Sequence, residues 1–138
     1  MQRLHVVVGV IVNENLQVCI ARRAKDVHLA GMWECPGGKV EANETALQAL
    51  VRELHEEIGI RVHTAQPLIA FDHDYPEASQ YLHLDFWLVR DFTGEPHGKE
   101  GQAVQWVPIE ALGKEYLLPK ADDLMLQKLK SHFLSESA

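Results

Sequence analysis

The alternation of apolar and polar positions predicts the elements from one end of the chain to the other. Residues 4–12 form a nearly continuous apolar, β-branched run, as in a strand covered on both faces. After the turn-like Asn13-Glu14-Asn15, residues 17–21 read as a second strand. Residues 24–38 are irregular, broken by Gly31, Pro36, Gly37 and Gly38, with Met32 to Cys35 as a possible short strand. Residues 45–58 give the clearest helix: Thr45 with Gln48 fits a capping box, and Gly59 before Ile60 fits a left-handed C-terminal cap. Two further strands, 67–73 and 81–90, flank a loop holding Pro76. Residues 92–101 read as a polar, Gly-rich loop and residues 103–107 as a last strand. Residues 120–134 are predicted as a second helix with Leu124, Leu126, Leu129 and Phe133 on one side. Mixed strands with two separated helices predict an α/β or α+β sandwich. With no repeat, linker or low-complexity tract, residues 1–138 are expected to form a single domain.

The first helix carries the candidate chemistry. Stepping 100° per residue from Leu47, the residues Leu50, Val51, Leu54 and Ile58 fall in one stripe facing a core. Glu53, Glu56 and Glu57 fall at about 240°, 180° and 280°, a carboxylate patch on the flank of that stripe. Like charges at this spacing repel, and near a core they are also desolvated. A solvated acidic face is the plain explanation; a divalent cation is the chemical one. Mg²⁺ takes oxygen ligands and keeps room for substrate phosphates.

Composition narrows the partners. The 138 residues carry 13 Lys plus Arg against 20 Asp plus Glu, a formal net charge of −7. That balance argues against binding long DNA or RNA, which selects a basic face. It also means that a polyanionic substrate needs a local reversal of sign. Cys19 and Cys35 are too far apart in sequence for a zinc motif and too few for a disulfide framework, so two reduced thiols in a cytoplasmic protein are expected. The apolar run near the start is too short for a membrane span and lacks a small-residue cleavage site.

The turn Pro36-Gly37-Gly38-Lys39, whose glycines allow close backbone approach, precedes the helix. From Gly38 to Ile60 the chain matches G-x5-E-x7-R-E-U-x-E-E-x-G-U, where U is apolar, through Gly38, Glu44, Arg52, Glu53, Glu56, Glu57 and Gly59 with Leu54 and Ile60. Seven fixed positions at ordinary residue frequencies match by chance with a probability on the order of 10⁻⁶. This is the Nudix box without a substitution. The resemblance to the MutT-type branch of the Nudix family extends over residues 4–14, Arg22-Arg23-Ala24, Asp26, His28, residues 34–41, residues 86–89 and residues 94–102. It weakens around residues 77–81 and after Trp106.

That resemblance implies the Nudix α/β/α sandwich, with a mixed sheet between helices. It implies an Mg²⁺-dependent hydrolase, Mn²⁺ substituting, that cuts 8-oxo-dGTP to 8-oxo-dGMP and pyrophosphate and so keeps mutagenic nucleotides out of DNA replication. It assigns Glu53, Glu56, Glu57 and the Gly37 carbonyl to the metal, with Glu100 as a further glutamate there. Arg52 would orient Glu53, and Glu44 would support the helix start. Lys39 would lie near the phosphates and Arg23 would hold the nucleotide. The general base is Glu53 first and Glu100 second, since a loop carboxylate can swing in when substrate binds.

Other positions keep two readings each. Arg22 and Arg23 point to opposite sides of a strand end, so at most one meets a ligand. His28 is either a base-pocket residue or a loop histidine. Leu4, Val6 and Val8 share one strand face, either floor of a base pocket or plain core. Trp33, Trp87 and Trp106 are expected in the core or at its rim. Asp122 stands where the best-known pattern has a base-reading asparagine after a proline. A carboxylate only accepts, whereas a protonated carboxyl also donates, so Asp122 either discriminates 8-oxoguanine from guanine or caps the last helix. A Nudix hydrolase for another nucleoside diphosphate derivative and a non-catalytic nucleotide-sensing module are the rival functions. The partner is expected to be a small nucleotide, with no nucleic-acid polymer and no membrane, and the protein is expected to be a monomer.

Overall fold

The computed structural model describes residues 3–23 and 31–137, with side chains to Phe133; His28 and Asp26 lie outside the described residues. Strands β1 (Leu4–Ile11), β2 (Gln17–Arg22), β3 (Trp33–Glu34) and β4 (Gly37–Lys39) precede helix α1 (Ala46–Ile58). Then follow β5 (Arg61–Tyr75), β6 (Gln80–Thr93), β7 (Val104–Pro108) and α2 (Asp123–Ser137). The strands form two sheets rather than one. The larger has the order β4-β1-β6-β5, and the smaller β3-β2-β7. The larger is mixed: β1 runs parallel to β6, while β4 and β5 are antiparallel to their neighbours.

Both faces of the larger sheet are covered, as the apolar run of β1 requires. Val7 and Ile11 pack with Leu50, Leu54 and Ile58 of α1. Val8 and Val10 belong to the opposite cluster, with Met125, Leu129 and Phe133 of α2. The result is the expected α/β/α sandwich. Cys19 and Cys35 are buried, free thiols, and burial pushes Cys19 up to about 12, so neither is a reactive thiolate. Among the described residues no helix is long and apolar enough to cross a membrane.

Four expectations are corrected. Residues 37–39 are not a free turn but strand β4, paired with β1 through Val8↔Gly37, Val7↔Gly38 and Val6↔Lys39. Glycine has no strand preference of its own, so only the pairing reveals this. Strands β5 and β6 are several residues longer than predicted; in the first half of β5, register shifts after Val62, Thr64 and Pro67 break the two-residue period. In α2, Leu124 points outward at 47% exposure and Met125 takes its place in the core. The helix starts at Asp123, after a 3₁₀ turn at Lys120–Asp122.

The fourth correction concerns α1. Its buried positions are Ala49, Leu50, Leu54 and Ile58, whereas Leu47 is 41% exposed. The buried arc is therefore turned toward the carboxylates, and the row Ala49, Glu53, Glu57 runs along it at i, i+4, i+8. Glu53 and Glu57 thus lie toward the packed side of the helix, while Glu56 stays on the exposed flank. The floor beneath explains why they fit. A Cβ on Gly38 would stand 2.3 Å from the Glu53 carboxyl carbon, and one on Gly9 2.8 Å from Leu54 Cδ1.

Candidate active site

The predicted caps hold α1 in place above this glycine floor. Thr45 accepts from Gln48 N at 3.1 Å, the Gln48 side chain accepts from Thr45 N at 2.9 Å, and Gly59 closes the helix at φ 73°. Gln48 fixes the entry and Gly59 the exit, so the Glu53–Glu57 turn is aimed at β4.

Arg52 organises the acids around it. Its guanidinium donates to both oxygens of Glu44, at 2.7 and 3.0 Å, to Glu53 Oε1 at 2.9 Å, to Glu56 Oε2 at 3.3 Å and to the Lys39 carbonyl at 3.1 Å. The fork pair draws Glu44 down to about 2, and Glu44 also accepts from Glu41 N at 2.9 Å. The supporting role implied for Glu44 thus has a concrete form: it fixes Arg52, which fixes Glu53. Glu53 is raised by burial in spite of Arg52. Glu56 is 60% exposed.

Glu57 receives the Gly37 N–H at 3.1 Å. Burial, then Glu34, and less strongly Glu53 and Glu100, push Glu57 up to about 8 against that one donor. Glu57 and Glu100 face a common cleft of about 800 Å³. Among the described residues no three acidic, His or Cys groups converge on one point as a closed cation cage. The donor set still fits Mg²⁺. It is all oxygen and crowded with mutually repelling carboxyls. An open arrangement suits an ion that keeps waters and shares phosphate ligands.

A second cavity, about 380 Å³, adjoins the cleft. Its floor includes Leu4, Val6 and Val8; Val8 belongs to the core cluster as well and Val6 packs against it, so this strand face serves both cavity and core. Its polar end is Asp122, buried at 8% exposure. Burial, then Glu34 and Asp123, push Asp122 up to about 7, with Arg23 opposing. Tyr75 lines the same cavity in hydrogen-bonding contact with the Ala121 main chain. Lys39 stands at the rim and is exposed.

Arg23 and Glu34 form an ion pair that lines both spaces. The neighbouring Arg22 turns outward, donates to the Gly31 carbonyl at 3.1 Å and lies 5.7 Å over the Trp33 ring. Both arginines border the cleft, and Arg23 alone of the two also lines the second cavity. Trp33 packs edge-on against Tyr116, and Trp106 stacks on Phe92, so both serve the rim.

Sequence reasoning missed three residues of the site. Glu34 meets Arg23 through the pairing of β2 with β3, and Tyr75 meets Asp122 where the turn before α2 packs against β5. Gln102, whose amide touches both Glu57 and Glu100, sits in a loop with no periodicity. Glu34 and Gln102 both fall in stretches resembling the family, the one signal that pointed to them.

Comparison with known proteins agrees with this architecture. The Nudix domain model matches residues 3–129. The chain belongs to the Nudix family. It is 42% identical over 130 residues to the 8-oxo-dGTP diphosphatase of Escherichia coli (strain K12), covering 94% of this chain and 98% of that protein. It is 38% identical over 122 residues to the CTP pyrophosphohydrolase of the same organism, covering 88% and 87%. A MutT chain from the comparison of Aliivibrio salmonicida and Vibrio cholerae superposes with a TM-score of 0.82 at 42% identity, covering 95% of this chain and 99% of that one.

Proposed function

We propose that this Nudix protein hydrolyses oxidised purine nucleoside triphosphates, 8-oxo-dGTP first among them, to the monophosphate and pyrophosphate. The observation that carries the reading is the division of the site at Arg23–Glu34. On one side is an apolar pocket with one buried acid, suited to a base; on the other is an open acidic cleft, suited to cations and phosphates. Likeness to the named diphosphatases supports the substrate class.

Magnesium bound among Glu53, Glu56, Glu57, Glu100 and the Gly37 carbonyl would neutralise phosphate charge and lower the pKa of the attacking water. The chain supplies the rest. Arg52 holds one oxygen of Glu53, leaving the other to accept a proton. Glu53 is raised by burial, which makes it a better base than a free carboxylate. Glu100, in the loop at the mouth of the cleft, is the alternative base. Arg23 can exchange Glu34 for the nucleotide, and Lys39 adds positive charge at the rim. Asp122, neutral below pH 7, can accept from the N7–H of 8-oxoguanine and donate to its O6. Guanine has a lone pair at N7 and meets a mismatch there.

The same residue favours a second reading. An ionised Asp122 accepts from amino groups such as cytosine N4, and one similar protein is named a CTP pyrophosphohydrolase. Turnover of purified protein with Mg²⁺ against 8-oxo-dGTP, dGTP, CTP, dinucleoside polyphosphates and nucleotide sugars decides between them. The expected result is a kcat/KM for 8-oxo-dGTP well above all others; a preference for CTP would select the second reading, and no turnover of any would leave a nucleotide sensor.

A further inference from the structure

The loop carrying Glu100 is fastened to the end of α1. The last carbonyls of a helix have no partner within it. Here the Ile58 carbonyl accepts from His97 N at 3.0 Å and the Glu57 carbonyl from Lys99 N at 3.3 Å. The Glu57 carbonyl also accepts from the side-chain Nε2 of Gln102 at 3.2 Å, while Gln102 Oε1 accepts from Glu100 N at 3.0 Å. One amide therefore bridges two residues of the acidic cleft that lie far apart in sequence.

Gln102 is itself held from both sides. The next residue, Ala103, accepts from Arg22 N at 3.0 Å and leads into β7. Gly98 packs so tightly that a Cβ there would lie 1.9 Å from the Gln102 carbonyl oxygen. The intervening turn is closed by Gly101 N on the Gly98 carbonyl at 3.0 Å, with Gly101 at φ +82°.

We infer that Gln102 is a positioning residue for Glu100: its amide holds the Glu100 main chain at a fixed distance from Glu57 and so sets how far the Glu100 carboxyl reaches into the cleft. The inference rests on the proposed function, in which Glu100 works at the metal. The chemistry selects the residue type. Both bonds are needed at once, one donated and one accepted, and only an amide of this length supplies both. A glutamate keeps the bond from Glu100 N but sets a charge against the Glu57 carbonyl. An alanine keeps neither.

The test uses the whole protein and two kinds of readout. In the absence of nucleotide and metal, amide hydrogen exchange at Glu100 should speed up about tenfold or more in Gln102→Ala, while the Leu54 amide in α1 is unchanged. Gln102→Glu should fall between wild type and alanine. With Mg²⁺ and 8-oxo-dGTP, Gln102→Ala should lower kcat about tenfold and leave KM within about twofold. Placed in a Glu100→Gln background, the same change should cost nothing further, because its effect passes through Glu100. Unaltered exchange at Glu100, or a full additional loss in the double variant, would overturn the assignment. A wild-type protein inert toward every nucleotide would instead overturn the proposed function, and the exchange readout keeps that failure separate.

Discussion

Asp122 is buried and Glu53 half-buried, and under the proposed function their surroundings suit them to opposite tasks. Glu53 keeps an arginine on one oxygen and a glycine floor beneath it, so it stays available as a base. Glu53→Gln should lower kcat by about a hundredfold or more, since it removes the proton acceptor without changing the fold. Activity near wild type in excess Mg²⁺ would eliminate that role. Asp122 has little relief from burial, and about 7 is far above its unfolded value of roughly 3.9. As pH rises from 4 to 7 the unfolded chain releases this proton before the folded one does, so folding loses stability over that window and the loss levels off above it. Replacing Asp122 by Asn should remove roughly 2–4 kcal/mol of this loss, read as the difference between urea unfolding free energies at pH 4 and pH 8. In turnover, Asp122→Ala should reduce kcat/KM for 8-oxo-dGTP by about ten- to a hundredfold more than for dGTP. Equal reductions would leave Asp122 as a helix-start residue only.

At the scale of elements, β4 and α1 must approach more closely than side chains on β4 would permit, and the two adjoining glycines do different jobs. At Gly37 a Cβ would stand 2.1 Å from the Val7 carbonyl oxygen, which is backbone and cannot move without parting β4 from β1. At Gly38 the obstacle is the Glu53 carboxyl, the far end of a flexible side chain. Gly37→Ala should therefore destabilise the protein by about 2–4 kcal/mol, seen as a clear drop in Tm. Gly38→Ala should keep a Tm within a few degrees yet lose activity to the extent Glu53→Gln does. Comparable Tm losses for both would mean that the helix, not the carboxyl, gives way.

Across the molecule, net charge and function stand in tension. A chain of formal charge −7 gathers Glu34, Glu53, Glu57 and Glu100 into mutual repulsion, with Arg23 and Arg52 as the nearby cations. Under the proposed function, most of the sign reversal that a triphosphate needs would come from bound divalent ions, with Arg23 and Lys39 adding to it. Turnover should accordingly vanish in chelator and return with Mg²⁺ or Mn²⁺; full activity in chelator would remove the metal from the scheme. Cleavage at the β-phosphorus is expected, so in ¹⁸O-water the label should enter pyrophosphate. Label confined to the monophosphate would move the attack to the α-phosphorus.

What the sequence determined is what is local. Capping at Thr45 and Gly59, the length of α1, and the spacing that puts Glu53 and Glu57 four apart all depend on residues within a turn or two of each other. The run in β1 likewise announced a strand buried on both faces. Resemblance named Arg23, Lys39 and Glu100. Tertiary structure decided the rest, because it depends on partners distant in the chain. The two glycines of β4 became a strand only by pairing with β1, and through them the buried arc of α1 turned toward its acids. Arg23 met Glu34 across neighbouring strands. Asp122 acquired its raised pKa from packing over the sheet. Gln102 found Glu57 and Glu100 because the loop folded back on the helix end. Helical periodicity carries information over about four residues, and a cleft built from four separate elements lies beyond that reach.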